Sequence, residues 1–110
     1  MMKQIYDKLL IGSGAAPEVV IFTAPWCGPC KMLKPVLQAL KTDYGFNYTE
    51  INAADISTAD LETLGVRGVP NVRVLQGGVV KAQFSGARTK AQVEDWLTSF
   101  GVIARGLSFE

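Results

Sequence analysis

Hydrophobic positions along the chain follow two periods, that of a helix and that of a strand. Met2, Ile5, Tyr6, Leu9 and Leu10 fall on one helical face, and Gly12-Ser13-Gly14 with Pro17 ends that helix. Val19, Val20, Ile21 and Phe22 run without interruption, which fits a strand over 18–23 buried on both faces. Leu33, Val36, Leu37, Leu40 and Tyr44 then recur at helical intervals, predicting a helix over 27–44. Pro35 lies inside it, removes a backbone donor and should kink it; Gly45 suits its C′ position. Residues 46–51 alternate, with Phe46, Tyr48 and Glu50 on one face and Asn47, Thr49 and Ile51 on the other.

Ser57, with Asp60 three residues on, resembles a cap for a helix that runs through Leu64 and stops at Gly65. Val72 and Val74 share one face of a strand over 71–75. Gln76-Gly77-Gly78 supplies turn chemistry, and Val79 to Phe84 forms the partner strand of an antiparallel hairpin. Thr89 and Gln92 make a capping-box pattern for a last helix that buries Val93, Trp96, Leu97 and Phe100 and ends at Gly101. The class is α/β. The first two strands are joined by a helix, so they should be parallel with a right-handed crossover. The sum is a mixed central sheet of at least four strands with helices on both faces.

Composition narrows the picture. At 110 residues, 48% of them apolar, the chain should be one domain with a real core. Residues 1–17 form its N-terminal helix and loop, and residues 101–110 a tail. The net charge of +1 gives no electrostatic case for nucleic acid or a charged membrane surface. No apolar stretch approaches the ~20 residues that span a bilayer. Residues 1–7 lack a signal-peptide core, so a cytoplasmic location is expected. The tail has Val102, Ile103, Leu107 and Phe109. Disorder is the default there, with folding back on the sheet or contact with a partner left open.

Cys27 and Cys30 are the only two cysteines, separated by Gly28 and Pro29 at the strand-to-helix turn. The first N–H groups of a helix lack intrahelical partners, and the helix dipole favours negative charge there, hence a thiolate. Three readings compete. A structural zinc needs four ligands, and the chain has no histidine and no third cysteine. A structural disulfide across two residues closes too small a loop to stabilise much. Dithiol–disulfide exchange fits best. No cofactor or metal is implied.

Trp26-Cys27-Gly28-Pro29-Cys30-Lys31 resembles the active site of the thioredoxin family. Pro35 falls where the family's helix carries a proline. Gly65-Val66-Arg67-Gly68-Val69-Pro70 resembles the segment ending in the family's cis-proline; Gln76-Gly77-Gly78-Val79 resembles its hairpin turn; Ser85-Gly86-Ala87 resembles its glycine corner. The landmarks keep family order over residues 19–100. The resemblance implies the thioredoxin fold, with little room for the additional strand that many relatives have before the first helix; the strand at 46–51 would then be an exposed edge. It also implies a protein disulfide reductant in which Cys27 attacks, exposed, and Cys30 resolves, with Gly-Pro between them favouring reduction over oxidation. Pro70 should be cis, turning Val69 toward the cysteines to pair with an extended client segment. Trp26, Gly28, Pro29, Val69, Gly86 and Ala87 would form the surrounding platform. Disulfide-bearing client proteins and a thioredoxin reductase are the implied partners of a monomer.

Two departures stand out. The family's usual buried aspartate on the first strand is Ile21 here, and its usual lysine on the next strand is Glu50. Glu50 is the candidate to take over proton transfer for Cys30, against the alternative that it simply turns to solvent. Asn71 follows Pro70 where the family most often has threonine, which reads as a surface change near the client groove. The rival function is a binding or structural subunit of a larger enzyme, with cysteine chemistry incidental.

Overall fold

The computed structural model describes residues 2–104. Helix α1 spans Met2–Gly12, strand β1 Glu18–Thr23, helix α2 Gly28–Tyr44 and strand β2 Asn47–Asn52. A short 3-10 turn at Ala53–Asp55 leads to helix α3 at Thr58–Thr63. Strands β3 (Asn71–Gln76) and β4 (Val79–Ser85) and helix α4 (Lys90–Ser99) complete the order. The four strands form one sheet in the order β2-β1-β3-β4. β1 pairs parallel with β2 and antiparallel with β3, and β3 pairs antiparallel with β4. Among the described residues β2 is an edge of the sheet.

The unbroken apolar run of β1 reflects its place inside the sheet. Val19 and Ile21 face one side and join Leu33, Leu37 and Leu40 of α2 with Val93 and Leu97 of α4. Val20 and Phe22 face the other and join Tyr6 of α1, Ile51, Val66 and Leu75, with Leu61 and Leu64 of the α3 region packed against them. The sheet is therefore covered on both faces, and a strand buried twice cannot alternate.

The capping signals are used as written. Ser57 Oγ accepts from the Asp60 N–H at 3.1 Å. Thr89 and Gln92 close a full capping box. Gly45, at φ +80°, ends α2 in the left-handed conformation that a side chain would strain. Gly77 and Gly78, at φ +64° and +79°, make the two-residue turn between β3 and β4 that only such residues take without cost.

Several details differ from the sequence reading, among them Trp96 on α4 and Phe100 at its C-cap, which are only half-buried. β2 starts at Asn47, and Phe46 is buried just ahead of it. Ile5 is turned outward, 38% exposed, because α1 needs only the Met2–Tyr6–Leu9–Leu10 stripe against the sheet. Asn71 is not a surface residue; it is buried at the start of β3. In the tail, Ile103 is buried in the α2–α4 core, while Leu107 and Phe109 lie outside the described residues.

Leu37 is fully buried at the centre of the α2–α4 core. Leu37→Ala is expected to lower stability by about 2–5 kcal/mol, with the urea midpoint reporting the loss. Thr89→Ala, which removes only a cap, should cost about 1 kcal/mol in the same assay.

Candidate active site

β1 ends at Thr23, and the chain turns through Ala24, Pro25 and Trp26 into α2. Cys27 is the N-cap of that helix: its Sγ accepts the Cys30 N–H at 3.1 Å, and Pro29 occupies the first turn, where no donor is needed. Cys27 and Cys30 are joined in a disulfide, with Cα atoms 5.3 Å apart. Cys27 retains 5% of its surface and Cys30 only 1%. Cys27, the residue expected to attack, is thus the more open of the two, but far less exposed than expected. The two cysteines pack with Ala24, and Val69 lies against this cluster.

Val69 precedes Pro70, and the Val69–Pro70 peptide bond is cis. Gly86 donates its N–H to the Pro70 carbonyl at 3.1 Å, which ties the glycine corner to the same place. Trp26 is 74% exposed. It lines a mainly apolar depression of about 190 Å³ with Ala53, Leu61, Val66, Arg67, Gly68 and Val69. Gly28 and Pro29 are exposed beside it. Ala87 instead lines a separate depression with Arg88, Gln92 and Trp96 on the α4 side. Leu61 was not singled out from the sequence, and Val66 and Arg67 only within the string ending in Pro70, since nothing local marks α3 as a neighbour of Trp26.

Behind Cys30 lies a cleft of about 310 Å³, lined by Thr23, Ala24, Pro25, Lys31, Lys34, Pro35 and Gln38. Pro35 leaves the Lys31 carbonyl without its helical donor at this wall. Ile21 is fully buried in the apolar core and stands in register beside Glu50 on β2. Glu50 is half-buried and does not turn idly to solvent. It accepts from Gln38 Nε2 at 2.6 Å and from the Tyr48 hydroxyl at 2.8 Å, and Lys34 Nζ lies 3.6 Å away. Burial first, then the hydrogen bond to Glu50, pushes the Tyr48 hydroxyl far above its usual range, so it stays a neutral donor. Glu50 does not itself line the cleft; it holds Lys34 and Gln38, which do. Lys34 follows Cys30 by four residues, and that spacing was the available signal for it.

A disulfide at a helix N-terminus, an exposed tryptophan beside it and a cis-proline facing it suit reversible sulfur exchange. They offer no metal site: among the described residues no group of three acidic, histidine or cysteine side chains is placed to hold an ion. Nor, among those residues, is any helix long and apolar enough to cross a membrane.

The family model for thioredoxin matches residues 2–99. Thioredoxin of Haemophilus influenzae is 35% identical over 94 residues, covering 84% of this chain and 86% of that protein. An M-type chloroplastic thioredoxin of Zea mays is 38% identical over 84 residues, covering 74% of this chain and 50% of that protein. The chain thus spans about half the length of the chloroplastic relatives it matches. In fold, the crystal structure of Chlamydomonas reinhardtii thioredoxin f2 superposes with a TM-score of 0.81 at 19% identity, covering 93% of this chain and 94% of that one. With its CxxC disulfide capping α2, its cis-proline opposite and a family match over residues 2–99, this chain belongs to the thioredoxin family.

Proposed function

We propose that the protein is a thiol–disulfide oxidoreductase that reduces disulfides in client proteins through a Cys27/Cys30 dithiol–disulfide cycle. The observation that carries this reading is the Cys27–Cys30 disulfide at the N-terminus of α2, packed against Val69. The Cys27 thiolate attacks one sulfur of a client disulfide. A mixed disulfide forms, and the other client sulfur leaves with the bonding pair and takes up a proton. Cys30 then loses its proton and attacks Cys27 Sγ. The second client sulfur departs and is protonated in turn. The client has gained two electrons and two protons, and the protein is left with the Cys27–Cys30 disulfide. The helix N-terminus favours the attacking thiolate.

Client docking falls to the surface around that bond. An extended client segment pairs with the Val69 backbone and rests on Trp26, Gly28, Pro29, Pro70 and Gly86, with Ala87 at its margin. The Trp26–Leu61–Val66 depression accepts an apolar client side chain. Glu50 serves the Cys30 proton from one residue back: it holds Lys34 and Gln38, the polar wall of the cleft through which that proton leaves. A thioredoxin reductase is the proposed electron donor, on family membership alone. The proposed setting is a reducing one such as the cytoplasm, where such a disulfide is a working state rather than a staple.

The purified protein is expected to reduce insulin disulfides with dithiothreitol as regenerant, and Cys27→Ser should fall to the dithiothreitol background. Wild-type turnover no faster than that background would overturn the reading and favour a binding role. In the reduced protein, limiting iodoacetamide should modify Cys27 before Cys30, as peptide mass mapping reads directly; the reverse order would exchange the two roles. Glu50→Gln should slow resolution of the mixed disulfide on the order of 10-fold, a modest acid–base effect for a half-buried group, with the circular dichroism spectrum unchanged. Equal resolution rates across pH would remove Glu50 from the mechanism.

A further inference from the structure

Arg73 stands in the middle of β3, 2% exposed. Its neighbours Val72 and Val74 face the α2–α4 core, so its own side chain enters the opposite core, beneath α1 and α3. Among the described residues no carboxylate lies within ion-pairing distance of it. Taking a guanidinium out of water without a counter-charge is costly unless its donors are used. Here they are. Nε donates to Asn71 Oδ1 at 2.8 Å, Nη1 to the Tyr6 hydroxyl at 2.9 Å and Nη2 to the Leu64 carbonyl at 2.6 Å. The guanidinium carbon lies 5.6 Å and 5.2 Å from the ring centres of Tyr6 and Phe22, where ring faces attract a cation.

These partners are not scattered. Leu64 ends the α3 region, and Asn71 opens β3. Between them runs the segment 65–70, which carries Val69 to the cysteines and holds the cis bond. One rigid fork thus grips both flanks of that segment and is itself anchored on α1 through Tyr6. Asn71 is held from the other side as well, donating to Gln83 Oε1 at 3.2 Å and Ser85 Oγ at 3.3 Å on β4. The polar network therefore runs from α1 through β3 to the exposed Gln83 and Ser85 of β4, next to Gly86. A planar guanidinium fixes three acceptors in direction as well as distance, which lysine, with one nitrogen, cannot do.

We propose that Arg73 is a positioning residue for client binding: by clamping Leu64 and Asn71 it fixes the segment 65–70 so that Val69 presents its backbone to an extended client at the Cys27–Cys30 bond. The inference rests on the reductant reading. Arg73 touches neither client nor sulfur and acts only through the segment it holds. Its effect belongs to recognition of protein clients, whose main chain pairs with Val69. A small disulfide has no such main chain and is indifferent to it.

The test compares two substrates and one structural readout. In Arg73→Met, KM for insulin should rise about 5- to 10-fold while kcat changes less than about 2-fold, the scale of a charge-assisted hydrogen bond felt at docking. Exchange with the small disulfide 5,5′-dithiobis(2-nitrobenzoate) should fall far less. Arg73→Lys should recover only part of the insulin KM. Amide hydrogen exchange should accelerate over 65–70 and not in α2. An unchanged insulin KM in folded Arg73→Met overturns the proposal, as does an equal loss on both disulfides, which marks general damage. If Arg73→Met does not fold, Asn71→Ala, which removes one flank of the clamp, should raise the insulin KM about 2- to 3-fold; no rise overturns the proposal. Wild-type protein inactive on both disulfides would sink the reductant reading, whereas faster exchange confined to 65–70 in Arg73→Met would still support the clamp.

Discussion

The burial of β1 on both faces is the constraint from which the site follows. Val19 and Ile21 are committed to the α2–α4 core, and Val20 and Phe22 to the α1–α3 core. The strand cannot shift by one residue without exchanging these sets. Its end at Thr23 is therefore fixed, and so is the start of α2 five residues on. Cys27 becomes the N-cap of α2, and Cys30 falls one turn on, buried with Ala24 and against Val69. The sulfur pair is placed by hydrophobic burial, and its chemistry is set by the unpaired N–H groups it meets there.

Polar groups in this fold are distributed unusually. At the strand position where the family commonly holds a buried aspartate, Ile21 simply fills core. The carboxylate nearest that position in register is Glu50, on the edge strand. An edge strand has one side open, so Glu50 keeps partial solvation while bonding Gln38, Tyr48 and Lys34. That removes most of the desolvation cost a buried carboxylate would carry. On the opposite face the reverse choice is made: Arg73 is fully withdrawn and balanced by carbonyl, hydroxyl and amide acceptors rather than by a charge. A neutral acceptor set holds a cation in place without adding a second desolvated ion.

Both arrangements converge on the cysteines from opposite faces of the sheet. Glu50 meets α2 at Lys34 and Gln38, which line the cleft behind Cys30. Arg73 bonds both flanks of the segment 65–70, whose Val69 lies against the same pair. One side borders the cleft behind Cys30 and the other holds the segment that brings Val69 to the sulfur pair.

The order of elements, their caps and turns, and the two sulfur positions were legible in the sequence because each depends on neighbours within a few residues. The run Val19 to Phe22, Thr89 with Gln92, and Gly77-Gly78 state local requirements of burial, hydrogen bonding and backbone angle. The Trp-Cys-Gly-Pro-Cys string carried the site for the same reason. What the sequence did not disclose depends on which elements meet. Asn71 and Arg73 look like ordinary polar positions of a hairpin strand, yet α1 and α3 cover that face, so both are buried and bonded. Glu50 reads equally as an exposed carboxylate until α2 brings Lys34 and Gln38 over β2. Local chemistry fixed where the cysteines are; only packing between distant segments decided which charges face them and which are hidden, because solvation is a property of the assembled surface and not of the residue.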